Sequence, residues 1–522
     1  MKRRMKTAGL ALGLLLALTA LAAEIDNHPF ENCTSLLVGR LASADGSTMT
    51  SHSCDSGTDR TWMTMEPRRT FAAGSKTKVY LEPKRSKKPD DPERLDAGEL
   101  PQVAETYGFL NAAYPIMNDV QLAIGETTIG GRRELVSDAG ILDAPELYRL
   151  CLERAKTARD AIRVLDELTK AYGYNDWGEC FTFADPKEVW FLEIYGPGKG
   201  KKGAVWAAVR IPDDEIGVSA NAGRIRKLDL KNKDFVAASA NVTAVAVENG
   251  WWDPKRGEAF DFTYAYNPGS RASLGCRRRE WRALSLLAPS LKLDPNSENY
   301  PFSVKPEKKV TVSDVLAIFR DAYDGTPYDM TRNVTVVDRE GKTITSPVAG
   351  SYLNADLMGL LKIVRERTIS SSAATYVQIT QSRSWLPDPI GGVVWLGYDN
   401  PATTPHTPFY CGITRMPDSY MVDGRWGYKD ESAWWAFRKV SKLANLRWQD
   451  MSKEIAKVWK GIEDKLFADQ AKIEEEAAAL FKKNPADARA FLTAYSVKAA
   501  EDAVAAYRQL ERDLWTKFNY RF

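Results

Sequence analysis

Apolar and polar positions along this chain alternate with two different periods, and the changes of period mark out its elements. From Cys33 to Val38 an apolar run too short for a helix reads as a buried strand. Asp45-Gly46 supplies a turn within Ala42 to Ser47, and Thr48 to Ser53 reads as the returning strand of a hairpin. Such a hairpin carries Asp55, just past its end, back toward Cys33. Lys76 to Leu100 is rich in Lys, Pro and Asp and reads as a surface excursion, whereas Val120 to Thr128 is a short strand running into a tight loop at Gly130 and Gly131. Between Ala144 and Tyr172 the positions Leu147, Leu150, Cys151, Ala155, Ala158 and Ile162 keep helical spacing and predict a helix or a helix pair. Strands return at Phe181 to Asp185, Glu188 to Ile194 and Ala204 to Ile211, and Val218 to Ile225 ends another at the carboxamide Asn221.

Helical patterns follow over Ala272 to Leu287 and Val310 to Tyr323, then strands over Thr375 to Gln381 and Gly392 to Gly397, then a loop-rich stretch from Pro401 to Pro417. Beyond Glu431 the pattern is helical almost throughout: Trp434 to Trp448 marks one helix, and Ile455 to Leu480 and Ala486 to Phe518 mark two more. This order predicts layered α and β elements rather than an all-β protein. The main domain spans 33–430, and 431–522 is a helical extension packed on it, with a substrate-entrance wall or a dimer surface as the alternatives.

The first residues follow a different logic. A basic start at Lys2-Arg3-Arg4 and Lys6, an apolar run from Ala8 to Leu18 and small residues at Ala20 to Ala23 make 1–23 a secretory signal. Its apolar core is shorter than the roughly 20 residues that span a bilayer, so cleavage is expected rather than anchoring. The expected product is periplasmic or extracellular, with no membrane association in the mature form. Residues 24–32 are polar, contain Pro29 and read as a removable propeptide. A formal charge of +3, from 72 basic and 69 acidic residues, gives no case for nucleic acid or a membrane surface as partner.

Six cysteines, at 33, 54, 151, 180, 276 and 411, are too widely and irregularly spaced to define disulfides. With three histidines, at 28, 52 and 406, and no CxxC, neither a zinc site of the usual ligand sets nor any other metal or cofactor is expected. The chemistry therefore falls to Cys33. If the bond before it is cut, one residue holds a thiol and a free amine, and an amine with a reference pKa of about 7.7–8.0 can act as the base for that thiol. The plainer reading is a small apolar residue entering a strand. Asn221 has the same two faces, an oxyanion donor or a turn residue. In Arg277-Arg278-Arg279-Glu280-Trp281-Arg282 at least half of the arginines are expected to be a solvated helix face. The rival thiol, Cys54, cannot gain a free amine without a cut inside the hairpin and reads as structural.

Cys33-Thr34-Ser35, Ala44-Asp45-Gly46-Ser47, Ser53-Cys54-Asp55-Ser56-Gly57, Leu122 to Thr128, Ser219-Ala220-Asn221 and Tyr410 to Gly427 occur in an order that resembles the secreted cysteine dipeptidases related to the lactobacillal dipeptidase and secernin. These belong to the N-terminal nucleophile (Ntn) hydrolases, alongside penicillin V acylase and bile salt hydrolase. The resemblance implies an α+β, four-layer αββα sandwich acting on short peptides, with Cys33 as nucleophile and Asp55 holding its amine. It also implies Asn221 in the oxyanion hole, backbone around Glu126 and Thr127 supplying a second donor, and Arg279 near the nucleophile. Where the related acylases carry an arginine shortly before the Asp, this chain has His52, which is either a plain strand residue or a weaker substitute for that charge. Alternatives to a dipeptidase are an Ntn amidase acting on N-acylated amines, and an inactive exported protein whose aromatic-rich surface (15 Trp, 21 Tyr) binds peptide or glycan. A homo-oligomer is compatible with either.

Overall fold

The hairpin that the apolar run predicts is present in the computed structural model, which describes residues 33–56, 59–83 and 94–521. The predicted signal and propeptide lie outside the described residues. Ser35–Val38 pairs antiparallel with Met49–Cys54, Leu37 opposite Thr50 and Val38 opposite Met49. The pair sits inside a seven-stranded sheet ordered Ser303–Val304, Ile216–Ser219, Ser35–Val38, Met49–Cys54, Tyr376–Gln381, Val393–Tyr398, Thr407–Tyr410. An eight-stranded sheet is ordered Val236–Ala238, Val205–Ile211, Val189–Tyr195, Glu179–Ala184, Ala123–Thr128, Met117–Asn118, Phe109–Asn111, Thr64–Glu66.

The two sheets face each other, and the surfaces that meet are unusually polar. Met-Thr-Ser-His-Ser-Cys is buried along its whole length, and its hydroxyls find partners across the gap (Thr50), on the neighbouring strand (Ser51) and on Asp55 (Ser53). Thr50 Oγ1 lies 2.6 Å from Thr182 Oγ1, Ser35 Oγ donates to Glu126 O at 2.8 Å, and Thr48 Oγ1 donates to Asp185 O at 2.5 Å. Gly125 permits this approach: a Cβ there would come within 2.4 Å of Ser51 O and 2.6 Å of Thr182 Oγ1.

Helices cover the outer faces. Ala144–Arg154, capped by Asp143, and Ala158–Tyr172, capped by Thr157 and ended by Gly173 at φ 77, bury their apolar stripes on the eight-stranded sheet. Tyr148 reaches through to donate to Gly125 O at 3.2 Å. Leu274–Leu287, Val312–Phe319 and Ala433–Ala444 pack on the seven-stranded sheet. The fold is thus mixed α and β, with a helical C-terminal region made of Ala433–Ala444, Trp448–Lys483 and Pro485–Phe518. Trp448 begins the second of these helices instead of ending the first, because the chain leaves helical geometry at Arg447 (φ −151). The long helices cover the edge strand Thr407–Tyr410, which three strands separate from the one that follows Cys33. They are fastened there by Glu463, which accepts from Arg320 at 2.6 Å and from the His406 amide at 2.8 Å, and by an Arg383–Glu474 pair at 2.6 Å.

The surface excursion expected at Lys76 to Leu100 carries a hairpin: Lys76–Leu81 pairs with Leu95–Pro101, largely exposed, and the polar composition reflects its solvated faces. The loop-rich stretch after Pro401 contains the strand Thr407–Tyr410, buried on both sides by the neighbouring strand and the C-terminal helices. No helix among the described residues is long and apolar enough to cross a membrane.

Candidate active site

Cys33 lies immediately before the central strand of the hairpin and is 2% exposed. Its neighbour Thr34 is tied to the returning strand from both directions: Thr34 N donates to Ser53 Oγ at 3.0 Å, and Ser53 N donates to Thr34 O at 2.9 Å. Ser53 Oγ then donates to Asp55 Oδ2 at 3.2 Å, so the hairpin does carry Asp55 back beside Cys33. The second Asp55 oxygen, Oδ1, is buried with no hydrogen-bond partner among the described residues. Burial pushes the Asp55 carboxyl above its ordinary range, against the lowering pull of Arg367 and Arg279.

Arg279 is fully buried, and all five of its N–H groups are used. Nη1 donates to Cys33 O at 2.5 Å and Thr34 Oγ1 at 2.9 Å, Nη2 to Asn221 Oδ1 at 2.8 Å and Ala220 O at 3.1 Å, and Nε to Gly275 O at 3.1 Å. One guanidinium thus joins the Cys33 strand, the Asn221 turn and the start of its own helix. Asn221 has φ 60, a left-handed conformation that Asn tolerates, and its Nδ2 donates to Thr128 O at 2.8 Å. With Oδ1 held by Arg279 and Nδ2 by Thr128, the orientation of the carboxamide is set.

His52 and Glu126 close the other side. The His52 ring is buried edge-on between Tyr114 and Tyr376, with centroids 5.4 and 5.6 Å away, and its Nε2 lies 3.1 Å from Glu126 Oε2. That approach is an ion-pair contact without hydrogen-bond alignment, since neither atom has an aligned partner among the described residues. Cys33, His52 and Glu126 each offer a donor atom within 4.8 Å of the others. Burial acts to raise the Glu126 carboxyl, but the contacts of His52, Glu179 and Cys33 prevail and hold it below its ordinary range. Burial, with the neighbouring Glu126 charge, pushes the Cys33 thiol far above the ordinary thiol range. Thr127 Oγ1 is paired with Ser219 Oγ, 2.5 Å away, and its backbone is in the sheet ladder opposite Cys180. It is Glu126, through its side chain, that reaches Cys33.

All seven residues singled out from the sequence are therefore on adjoining elements around Cys33. Five others were not legible. Arg367 pairs with Asp55 Oδ2 from a loop that reads locally as a solvated charge run, and no local signal marks it. Glu280 is fully buried between Arg271, which it binds at 2.6 and 2.8 Å, and Arg224. This cluster locks the Arg279 helix to the turn after Asn221, whose Arg224 and Ile225 amides donate to buried Glu193 at 2.5 and 3.0 Å. The arginine cluster is not a solvated face. Arg277 donates to Asn296 O at 2.8 Å, Arg278 pairs with Glu366 at 2.6 Å, Arg282 pairs with Asp321 at 2.7 Å, and none of these side chains is fully exposed. Cys54 is buried with its Sγ 3.5 Å from Asp59 Oδ2, and the six cysteines are unbridged.

A thiol at the start of a central strand, boxed by a buried carboxylate, a fixed carboxamide and a guanidinium, is the arrangement of an acyl-transfer site. A sequence description of peptidase family C69 matches residues 32–461. The chain belongs to peptidase family C69. As a family C69 member it is a peptide-bond hydrolase. The chain is 26% identical over 498 residues to "Probable dipeptidase B" of Lactococcus lactis, covering 93% of this chain and 96% of that one. It is 26% identical over 414 residues to "Probable dipeptidase" of Latilactobacillus sakei, covering 76% and 77%. It is 24% identical over 462 residues to "Dipeptidase" of Bifidobacterium longum, covering 79% and 77%.

Proposed function

We propose that this protein is an exported cysteine dipeptidase of the Ntn type, made as a precursor and activated when removal of residues 24–32 makes Cys33 the first residue. The observation that carries this reading is the unpartnered, buried Asp55 Oδ1 beside Cys33. A carboxylate oxygen left without a partner in a buried site is costly, and a new α-ammonium on Cys33 would satisfy it with a charge-assisted bond. The thiol, pushed up by burial, is inert in the uncut chain; a cation introduced on the same residue lowers it and creates the nucleophile when the chain is cut.

In the cut enzyme the neutral amine takes the thiol proton and becomes the ammonium that Asp55 holds, Sγ attacks the peptide carbonyl as the thiolate, and the oxyanion forms beside Asn221. The amine returns the proton to the leaving nitrogen, and water hydrolyses the thioester. The facing sheets with helices outside them support the four-layer αββα arrangement, with 33–430 as the catalytic domain and 431–522 as its helical extension. Export to the periplasm or the extracellular space rests on the signal pattern of 1–23.

The test is intact-mass and N-terminal sequencing of the active form together with turnover of dipeptides and matched N-acylated amino acids. A mature chain starting at Cys33, hydrolysis of dipeptides in preference to acylated analogues, and no turnover by a folded Cys33→Ala are expected. An active chain still carrying Asn32 would overturn the mechanism.

A further inference from the structure

The three groups that face one another at the inner end of the site form a donor set whose chemistry is not exhausted by acyl transfer. Cys33 precedes one strand of the seven-stranded sheet, His52 lies on the next and Glu126 on the facing sheet, and they are 2%, 1% and 0% exposed. His52 Nε2 and Glu126 Oε2 are both buried and lack aligned hydrogen-bond partners among the described residues. The imidazole and the carboxylate meet in an ion-pair contact at 3.1 Å, and with the Cys33 sulfur their donor atoms share one small buried volume, all within 4.8 Å of one another.

We propose that a thiolate from Cys33, a ring nitrogen of His52 and a carboxylate oxygen of Glu126 form a three-ligand site for a borderline-soft divalent cation of the Zn2+ class, and that its occupation reversibly blocks the thiol. The ligand types select the ion: thiolate and imidazole favour Zn2+ over Mg2+ or Ca2+, which take oxygen ligands. Tetrahedral bonds of about 2.0–2.3 Å place ligand atoms roughly 3.4 Å apart. The 3.1 Å His52–Glu126 separation is close to that spacing, and all three donor atoms lie within 4.8 Å of one another. Three protein ligands leave a fourth position for water.

Charge also balances. Binding forms bonds to sulfur, nitrogen and oxygen, releases the Cys33 thiol proton to solvent, and leaves a dication with one thiolate and one carboxylate, a neutral group suited to burial. The surroundings provide the orientation that such ligands need: Thr128 Oγ1 donates to Glu126 Oε1 at 3.1 Å, leaving Oε2 for the ion, and Tyr114 and Tyr376 hold the imidazole plane. The binding half of the proposal does not require cleavage before Cys33. The blocking half rests on Cys33 as the nucleophile.

The experiment is titration of the reduced full-length chain with Co2+ followed by displacement with Zn2+. One equivalent should bind with a thiolate-to-cobalt charge-transfer band and tetrahedral visible bands. Cys33→Ser, His52→Gln and Glu126→Gln, each verified as folded by circular dichroism, should each weaken Co2+ and Zn2+ binding more than about 10-fold, the lower end of what even an outer-sphere partner is worth. Absence of the charge-transfer band in the unmodified chain overturns the site without reference to any variant. Unchanged affinity in the folded variants, which puts the metal elsewhere, overturns it as well. In the processed enzyme Zn2+ should suppress dipeptide turnover and a chelator should restore it; turnover unaffected by a saturating equivalent refutes the blocking role. If dipeptide hydrolysis is missing altogether, the proposed function fails while the cobalt spectrum still judges the site.

Discussion

Replacing Arg279 by Lys keeps a positive charge and removes the planar fork, which isolates what that fork does. The arginine matches five N–H groups to five acceptors on three segments: Cys33 O, Thr34 Oγ1, Ala220 O, Asn221 Oδ1 and Gly275 O. An ammonium has three donors, so at least two of these buried acceptors lose their partner. Hydrogen bonds to charged groups are worth about 1.5–3 kcal/mol each, which sums to a loss of about 3–6 kcal/mol. Urea unfolding followed by far-ultraviolet circular dichroism reads that loss directly. The same substitution removes the partner of Asn221 Oδ1, and on the proposed function, in which Asn221 serves the oxyanion, a misplaced donor should cost about 100- to 1000-fold in kcat. The two effects should appear together, because one guanidinium holds both the strand and the turn. A variant destabilised by less than about 1 kcal/mol, or one with full turnover, would refute the claim that this side chain organises the site.

Three further outcomes are expected. Glu280→Gln leaves Arg224 and Arg271 buried without their shared carboxylate and should cost about 3–5 kcal/mol in unfolding measurements; a neutral result would show that the cluster is not the brace of the Asn221 turn. Burial opposes ionisation of Glu463, yet Arg320 and His406 hold its carboxyl down to about 2, so it contributes stability that is complete above its unfolded value near 4.5 and is lost as pH falls toward about 2. The difference corresponds to about 3 kcal/mol, and a Glu463→Gln variant should show a flatter fall in stability over that window when urea unfolding is repeated from pH 5 downward. Gly125→Ala places a methyl within 2.4 Å of Ser51 O between the two sheets and should lower stability by about 1–3 kcal/mol; an unchanged urea midpoint would mean that the sheets separate freely there.

Local pattern alone was sufficient for much of this molecule. The run Cys33 to Val38 with Asp45-Gly46 and a second strand specifies a hairpin, and a hairpin necessarily returns Asp55 to its origin, so that pairing needed no knowledge of other segments. The C-terminal helices were equally plain, because periodicity over long stretches is a strong signal. What the chain could not announce were contacts made across large separations. Arg367 meets Asp55 across 312 positions and Arg279 meets Cys33 O across 246, and in sequence both arginines sit among other charged residues that look solvated. Arg279 was picked out by the motif it resembles, and Arg367 had no such help.

His52 was ambiguous for the same reason: whether an imidazole in a strand is packing or chemistry depends on what the opposite sheet presents. Here it presents Glu126. Short strands such as Thr407–Tyr410 escaped because their burial comes from helices more than 40 residues further on, and the exposed hairpin at Lys76–Leu81 has the composition of a loop because water, not a core, covers its faces. The sequence alone marked most of the elements and singled out Cys33 as the candidate thiol. The tertiary structure decided which charges that thiol meets, because the energy of a buried charge is set by its neighbours in space, and those neighbours come from segments hundreds of residues apart.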